Sequence, residues 1–452
     1  MSRGGIRPYL QRFPLGALIL LLGCSRPAVI VIGGGPAGLA AAIEAAGDHR
    51  PVRLYEARAE VGGSASFGDA VTAIPSPDAL RRLDAANGTS NAARTRFVTR
   101  VRADVVDWLG GMGQVWRPLP NDAEPDVELM TPAGRGQSIV GFLAQAAADA
   151  GVDVHVLTRV TGLKRDGDGI TVTLQPGGTV RATAVVIATG GFAGNLERVR
   201  QRLDLDASIP LLRGATDFAD GNGIDLGLAV GGVERLPGQV LLYAHGVPDP
   251  DHAGAALMFV DGDRALGIDS VGTLFDEVRT PRGDSGMSLL ARPGGTGWVI
   301  INRRAEKEIQ LWSADQRSFV PASEIGARGG RRGDDAMDLA RRLGVPADAL
   351  VAAVQAEGVR PTASRPLRQG PLTALPLRLT TAKSLTGLQI DLDGHLLDAS
   401  GAIIPRLYAA GEAAGFAHPW EAAHVDSTMV SGAILTGRAA GEAIVRDFPD
   451  GR

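Results

Sequence analysis

Three short runs rich in apolar residues are each followed by glycine within two residues. The run "AVIVI" at 28–32 is β-branched and apolar throughout, which is typical of a parallel strand that is covered on both faces. The next segment, "GGGPAGLAAAIEAA" at 33–46, predicts a helix that packs on this strand through its alanines. Similar runs end at 188 and 410. The pattern predicts an α/β fold built on a parallel sheet.

The first of these turns has the spacing of a dinucleotide-binding motif. Gly33, Gly35 and Gly38 form GxGxxG, in which the first glycine allows a tight turn and the second allows a pyrophosphate to approach. The third allows the helix to pack closely on the strand. The strand "VRLYE" ends at Glu56, where a carboxylate can accept hydrogen bonds from a ribose. This βαβ unit indicates a nucleotide cofactor, either NAD or FAD.

Composition narrows the class of protein. A chain of 452 residues, of which 44% are hydrophobic, predicts two domains with cores of their own. The formal net charge of -4 excludes the basic excess that nucleic-acid binding usually requires. Cys24 is the only cysteine of the sequence, so an internal disulfide and a thiolate metal cluster are excluded. We therefore expect redox chemistry to come from an organic cofactor, without a metal site.

The N-terminus has the features of an export signal. Three arginines precede the apolar run "LGALILLL" at 15–22, which is too short to span a bilayer. The run ends in "LLGC", which resembles a bacterial lipobox. Residues 1–24 are thus predicted to be a signal peptide, with a lipid anchor at Cys24 that holds the protein at the membrane of the bacterial cell envelope. The alternative is a cytoplasmic protein with an N-terminal extension, because the segment 1–24 has no twin-arginine pair to export a folded protein.

Further glycine-rich segments belong with this motif. "AEVGGSASFG" follows Glu56, "AVVIATGGFAGN" turns at Gly190, and "IPRLYAAGEAAGF" places Glu412 at the carboxyl end of a strand. Ligands collect at that end of the strands in open α/β sheets. Together the segments resemble the flavoprotein subunit family of fumarate reductases and succinate dehydrogenases, which includes ketosteroid dehydrogenases. The resemblance runs from about residue 28 to the C-terminus.

This resemblance implies a fold and a cofactor. The fold is α/β, a Rossmann-like FAD-binding domain at 28–235 and 368–452 with an inserted α+β capping domain at 236–367. The FAD is expected to be bound non-covalently, because "GGSASFG" lacks the histidine that carries a covalent flavin. The residues expected to bind FAD are Gly33, Gly35, Pro36, Ala37, Gly38, Glu56, Ala57, Gly63, Ser64, Val160, Thr189, Gly190, Glu412, Ser427 and Thr428.

The resemblance also implies a reaction. The family transfers hydride between flavin N5 and the carbon–carbon bond of an α,β-unsaturated or saturated acid or ketone, a small-molecule substrate. His245 lies at the position of a substrate-binding histidine of the cap, and Arg282 at that of the arginine that donates a proton, with Arg279 as a rival. The sequence has no CxxCH haem site, so a separate electron donor or acceptor, a quinone or a redox protein, is expected.

The other half of the pocket departs from the family pattern. Lys383 lies where fumarate reductases carry a histidine, and His424 where they carry an arginine. Neither side chain replaces a bidentate arginine clamp on a carboxylate. The departures favour a substrate with a larger or neutral tail over fumarate, although the loop around His424 has the alternative role of packing against the flavin. The alternatives are a ketosteroid-type 1,2-dehydrogenase, for which Tyr243 is the available catalytic tyrosine, and an FAD-binding redox carrier with reduced catalysis.

Overall fold

The computed structural model describes residues 27–65, 70–73, 78, 100–119, 128–133, 139–235, 240–259, 265–275, 285–313, 318–357, 367, 370–415 and 428–449. Its strands are β1 Ala28–Ile32, β2 Val52–Tyr55, β3 Val71–Ala73, β4 Trp116–Leu119, β5 Glu128–Pro132, β6 Asp153–His155, β7 Arg159–Asp166, β8 Gly169–Gln175, β9 Thr179–Ile187, β10 Leu211–Arg213, β11 Glu234–Arg235, β12 Val240–Pro248, β13 Ala256–Phe259, β14 Leu266–Asp269, β15 Thr296–Asn302, β16 Gln310–Ser313, β17 Ser318–Pro321, β18 Arg331–Gly333, β19 Leu372–Ser384, β20 Gly387–Leu388, β21 His395–Leu397 and β22 Ile403–Ala409.

Helices cover both larger sheets. They are α1 Pro36–Ala45, α2 Trp108–Gly111, α3 Ile139–Asp149, α4 Leu196–Leu203, α5 Asn222–Ala229, α6 Ser285–Leu290, α7 Arg303–Glu308, α8 Ala322–Arg328, α9 Ala336–Leu343, α10 Ala347–Glu357 and α11 Thr428–Asp447. A π-helical segment, Arg102–Asp107, runs directly into α2. Among the residues that the structure describes, none of the helices combines the length and the apolar character needed to cross a membrane.

The first sheet has a parallel core. Its strands run in the order β21-β22-β9-β1-β2-β6, and β1 pairs in parallel with both β2 and β9. Every residue of β1 is buried, as its uninterrupted apolar sequence predicts for a strand covered on both faces. The antiparallel hairpin of β7 and β8 joins the sheet through β9. The predicted Rossmann-like α/β fold is confirmed.

The helix of the GxGxxG motif packs against the last helix of the described chain. A Cβ added at Gly437 of α11 would lie 2.1 Å from the carbonyl oxygen of Ala37 in α1, and one added at Gly441 would lie 2.6 Å from that of Ala41. These glycines therefore allow direct backbone contact between the two helices. Arg438 adds an ion pair to Glu44 of α1 at 2.7 Å. α11 thus holds α1 in place beneath the sheet.

The second sheet is larger and mostly antiparallel. Its strands run in the order β14-β15-β19-β12-β13-β16-β17, with β10 and β18 also paired to β19. Packed helices make this an α+β unit, as the predicted capping domain requires. The sheet takes β10 and β19 from the segments predicted for the FAD-binding domain, 28–235 and 368–452. The boundaries at 235 and 367 stay predictions.

Two smaller sheets complete the described part of the chain. β3, β5 and β4 form an antiparallel sheet, and β11 pairs with β20. The hydroxyl of Ser431 in α11 accepts a hydrogen bond from the backbone N–H of Thr72 in β3 at 2.8 Å. It also donates one to the carbonyl of Thr72 at 2.9 Å. The small sheet is thereby tied to the N-terminal end of α11.

Candidate functional site

A cavity of about 510 Å³ opens where the first sheet faces the second. It lies at the carboxyl ends of β1, β2, β9 and β22, which is where ligands bind in open α/β sheets. Most of the residues predicted to bind FAD line it. They are Gly33, Gly35, Pro36, Ala37, Glu56, Ala57, Gly63, Ser64, Val160, Thr189, Gly190 and Glu412. The structure therefore brings segments separated by hundreds of residues to one wall.

The three glycines of the motif occupy different surroundings. A Cβ added at Gly38 would lie 1.9 Å from the carbonyl oxygen of Gly33, so this glycine allows close packing inside the turn. Gly33 has φ +103 and lies against Ala188, whose carbonyl oxygen would be 2.4 Å from an added Cβ. A Cβ added at Gly35 would meet no protein atom within 4 Å. Gly35 is thus the position at which backbone and ligand can approach each other.

The N-terminus of α1 is suited to an anion. Gly35 is its N-cap residue, Pro36 occupies the first helical position, and no side chain of the described structure caps it. Its first turn contains no acidic residue. The first backbone N–H groups of a helix lack intrahelical acceptors and carry the positive end of the helix dipole. An uncapped helix start at a glycine turn therefore fits the pyrophosphate of a dinucleotide.

Glu56 is held in position by the backbone around it. One carboxylate oxygen accepts a hydrogen bond from the N–H of Gly34 at 2.7 Å, and the other accepts from the N–H of Arg58 at 2.8 Å. The side chain is buried, with 7% of the residue exposed, and it lines the cavity. Each oxygen keeps a second acceptor site, because a carboxylate oxygen carries two lone pairs. Glu56 therefore fits the predicted role of binding ribose hydroxyls.

Glu412 is half-buried at another point of the wall. Its Oε1 accepts hydrogen bonds from the backbone N–H of Ser384 at 2.7 Å and from the Ser384 hydroxyl at 2.9 Å. Burial raises the pKa of the Glu412 carboxyl, against the opposing effects of these hydrogen bonds and the charge of Lys383. The Ser384 hydroxyl also accepts from the N–H of Phe192, at 3.2 Å. The end of β19, the turn after β9 and Glu412 are thus tied together.

An ion pair and a cation–π contact lie on the part of the cavity wall near Val160, and neither was predicted from the sequence. Arg159 pairs with Asp220 at 2.5 Å, and the guanidinium of Arg58 lies 5.3 Å from the centre of the Phe218 ring. All four residues line the cavity near Val160. A usable signal was the Asp-Gly pair at 220–221, which forms a turn just before α5. These residues supply polar and flat groups suited to the adenosine end of a dinucleotide.

The second sheet supplies the opposite wall. Its lining residues are Tyr243, Met258, Trp312, Ala382 and Lys383. His245, predicted to bind substrate, is buried in β12 and is not one of the lining residues. Its ring lies edge-on to Tyr243 with the ring centres 5.7 Å apart. The structure therefore brings Lys383 and Tyr243 to the cavity and places His245 behind Tyr243.

Several predicted residues are not described. Arg282, its rival Arg279, His424 and Ser427 lie outside the described residues, as does Cys24. Thr428 begins α11, but its side chain is not described. The roles given to these residues stay predictions.

Comparison with known proteins agrees with this geometry. The family model described as "FAD binding domain" matches residues 28–424. A fumarate reductase (cytochrome) of Shewanella frigidimarina is 26% identical over 456 residues, covering 92% of this chain and 76% of that protein. A urocanate reductase of Eggerthella lenta is 25% identical, covering 91% and 73%. The 3-ketosteroid delta1-dehydrogenase of Sterolibacterium denitrificans has a similar fold, with a TM-score of 0.77 at 16% identity, covering 93% and 99%.

The fold and the site define a flavoprotein with a Rossmann-like domain and a cap. The chain belongs to the FAD binding domain family. Its cofactor is FAD, and its class is that of FAD-dependent oxidoreductases acting on a carbon–carbon bond. The uncapped start of α1, the space at Gly35 and the buried Glu56 are the observations that fit this cofactor.

Proposed function

We propose that the chain interconverts an α,β-unsaturated acid or ketone with its saturated form, and that the substrate carries a large or neutral tail. The observation that carries this proposal is the composition of the wall formed by the second sheet. Lys383 is the one cation among the described lining residues of that wall, beside Tyr243, Met258 and Trp312. A single ammonium can hold one carbonyl or carboxylate, whereas a dicarboxylate needs a cationic partner at each end.

The residues of the chain have separate tasks in this reaction. When FAD is bound, it supplies hydride transfer to or from the carbon–carbon bond. Lys383 attracts the activating carbonyl or carboxylate, and its position is maintained because the next residue, Ser384, is hydrogen-bonded to Glu412. The proton on the neighbouring carbon is assigned to Arg282, which the sequence places between β14 and α6. Loss of water from a closed cavity would strengthen these charge interactions.

The relatives support the acid branch of this proposal. Two of them are named as a fumarate reductase and a urocanate reductase. Fumarate and urocanate are both α,β-unsaturated acids, but urocanate carries an imidazole ring where fumarate has a second carboxylate. A wall with one lysine and several apolar side chains suits the second type of substrate better than the first.

The proposal is tested by reoxidation of the reduced flavoprotein. The purified holoenzyme is reduced without oxygen and mixed with a panel of enoates, enones and quinones, and the return of the oxidised flavin spectrum is followed. We expect an enoate or enone with an apolar tail to reoxidise the flavin faster than fumarate does. Efficient reoxidation by fumarate would contradict the proposed tail. If no organic acceptor reoxidises the flavin faster than dioxygen does, the result would instead favour an FAD-binding redox carrier with reduced catalysis.

A ketosteroid-type 1,2-dehydrogenase is the second candidate. The observation in its favour is Tyr243, which lines the cavity on β12. A tyrosine hydroxyl can donate a hydrogen bond to a ketone, and its deprotonated form can accept a proton from the neighbouring carbon. If the protein is such a dehydrogenase, a saturated 3-ketosteroid should reduce the oxidised flavin. Tyr243→Phe should slow that reduction at least 10²-fold. Unchanged reduction in Tyr243→Phe would exclude the tyrosine mechanism.

We also propose that the electrons are exchanged with a separate partner, a quinone or a redox protein. The sequence contains no CxxCH haem site, and a relative is named as a fumarate reductase (cytochrome). The test is whether a reduced quinone analogue or a reduced small cytochrome restores the reduced flavin during turnover. Reduction by neither, with dithionite as the positive control, would contradict this choice of partners.

The proposed location is the bacterial cell envelope, with a lipid anchor at Cys24. Its support is the apolar run at 15–22 followed by "LLGC". A single acyl chain gives marginal membrane binding, whereas two or more hold a protein firmly. Metabolic labelling with a palmitate analogue should mark the chain, and Cys24→Ala should abolish the mark. Unlabelled, unprocessed protein in the cytosol would support the cytoplasmic alternative.

A further inference from the structure

A row of apolar side chains crosses the second sheet from the cavity to the solvent. Met258 on β13 lies directly opposite Trp312 on β16, and Trp312 lies directly opposite Phe319 on β17. Residues directly opposite each other in antiparallel strands share one face of the sheet. The three side chains, called the apolar row below, therefore form one continuous strip.

The two ends of the apolar row differ in exposure. Met258 and Trp312 line the cavity. Phe319 is 60% exposed, although it lies next to Trp312 with the ring centres 5.0 Å apart and the planes at 67°. An aromatic side chain so exposed leaves a large apolar area in water, which burial beneath a ligand would stabilise. The row thus continues the wall of the cavity outward instead of ending at its mouth.

The backbone at Gly214 restricts the position of the Met258 side chain. Gly214 also lines the cavity, and a Cβ added there would lie 3.1 Å from the Met258 sulfur and 2.6 Å from the Thr381 carbonyl oxygen. Met258 therefore packs directly over a glycine. This contact holds the inner end of the row close to the backbone of Gly214.

The polar groups of the same wall, Tyr243 and Lys383, lie on the side of Met258 that is opposite to Trp312. Tyr243 is on β12 and Lys383 is on β19, which pairs with β12. The wall is thus divided into a polar part on β12 and β19 and an apolar part on β13, β16 and β17. A ligand that fits both parts has a polar, carbonyl-bearing head and a flat apolar body.

We infer that the substrate is a conjugated acid or ketone with a cyclic apolar body, and that Trp312 and Phe319 select it by ring size. This inference rests on the proposed function and names its substrate class. Neighbouring strands lie about 4.8 Å apart, so Met258 and Phe319 are about 10 Å apart across the sheet. A body with one ring reaches Trp312, whereas contact with Phe319 requires a body of two or more rings.

The test uses three ligands with a conjugated carbonyl head, two enoates and one enone, but different bodies. Oxidised, FAD-loaded full-length protein is titrated with crotonate, trans-cinnamate and 4-androstene-3,17-dione, and binding is followed by the perturbation of the flavin absorbance. The variants are Trp312→Ala, Trp312→Phe and Phe319→Ala. The matched control is Met337→Ala, which removes another apolar side chain, 56% exposed, on α9. Flavin content and thermal melting verify that each variant is folded.

We expect Trp312→Ala to raise the Kd for cinnamate and the steroid about tenfold, the effect of one aromatic contact, with crotonate changed less than about twofold. Trp312→Phe should recover most of the cinnamate affinity. Phe319→Ala should weaken the steroid about fivefold and leave cinnamate unchanged, and Met337→Ala should change neither. An equal loss for all three ligands, no loss for the steroid in Phe319→Ala, or no flavin perturbation by any of the three would overturn the inference.

The binding measurement is independent of turnover. If the ring-dependent affinities are found but no acceptor reoxidises the flavin, the proposed reaction is wrong and the inference about the apolar row stands. If enoates reoxidise the flavin while crotonate binds as tightly as cinnamate, the reaction stands and the inference is overturned.

Discussion

Glu412 and Ser384 are joined by two hydrogen bonds to the same carboxylate oxygen, one from the Ser384 backbone N–H and one from its hydroxyl. The pair connects the strand that carries Lys383 to the turn that begins at Gly411. The carboxyl is half-buried and lines the cavity, and burial raises its pKa, so each donor that it keeps in the folded protein matters for its position. This connection therefore determines both local stability and the position of the cavity wall.

Replacing the serine tests this connection. Ser384→Ala removes the hydroxyl that donates to Glu412 and accepts from the Phe192 N–H. Leaving the buried Phe192 N–H without its partner should lower the free energy of unfolding by about 1–3 kcal/mol. Urea denaturation measures this loss. The control is Ser400→Ala, which removes an exposed hydroxyl bonded to Asp398 and should cost about 0.5 kcal/mol or less. Equal losses in the two variants would show that the Ser384 hydroxyl has no special role.

Two glycines of the same motif should respond differently to substitution. Gly35→Val adds a side chain that meets no protein atom near its Cβ, so the protein should fold but lose FAD. Gly38→Ala places a Cβ 1.9 Å from the Gly33 carbonyl oxygen, so it should also lower the melting temperature of the apoprotein. Flavin absorbance and the melting of apoprotein separate the two effects. A yellow Gly35→Val variant with wild-type flavin content would show that the cofactor lies elsewhere.

His395 should make stability depend on pH. Its ring nitrogens lie 2.8 Å from carboxylate oxygens of Asp391 and Asp447. The hydrogen bond to Asp391, with that to Asp447, raises the pKa of His395 to about 8 against the effect of burial. Protonated His395 is thus favoured in the folded protein. Its contribution, up to about 2 kcal/mol, is complete below pH ~6.5 and is lost as the pH rises through 8.

Thermal melting between pH 6 and 9 measures this effect. The wild type should lose stability across that range, whereas His395→Gln should be less stable at pH 6 and show a flatter profile. His252→Gln is the control, because His252 also pairs with an aspartate, Asp249 at 3.0 Å, but its side chain is 44% exposed. A wild-type profile retained in His395→Gln would assign the pH dependence to another group.

Arg282 and Arg279 are matched candidates for proton transfer. Arg282→Ala should lower turnover with the identified substrate at least 10²-fold, the usual effect of losing a general acid, and leave the flavin spectrum unchanged. Arg279→Ala should retain most of the activity. Steady-state kinetics of the two variants decides between them, and a reversal of their effects would move the role to Arg279. Full activity in both would contradict an arginine acid in segment 276–284.

The nucleotide half of the site could be predicted because its signals are local. Gly33, Gly35, Gly38 and Glu56 belong to one βαβ unit, and each glycine has a steric role that depends on its neighbours in sequence. The structure places Gly35 and Glu56 on the wall of the cavity and Gly38 inside the turn, as the motif indicates.

The substrate wall could not be predicted in the same way. Met258, Trp312 and Phe319 become neighbours through the register of three antiparallel strands, and a shift of one residue would turn each strand's side chains to the other face. The hydrogen bonds between Ser384 and Glu412 likewise depend on a β-strand and a turn from different sheets. His245 was predicted from its position in a motif, but the motif does not determine which side chains of β12 face the cavity. In the structure Tyr243, and not His245, is among the residues that line it.

The contact between α1 and α11 can form only after both helices have been synthesised. Glu44 and Arg438, which pair across the two helices, are 394 residues apart in sequence. At 5–20 residues per second, a ribosome needs about 20 to 80 s to travel from one helix to the other. During that time α1, the alanine-rich helix that follows the GxGxxG turn, has no α11 to cover it. Contacts between residues so far apart in sequence also form slowly. We therefore expect flavin to be loaded only after α11 has been synthesised, and N-terminal fragments that lack α11 should be colourless and prone to aggregation.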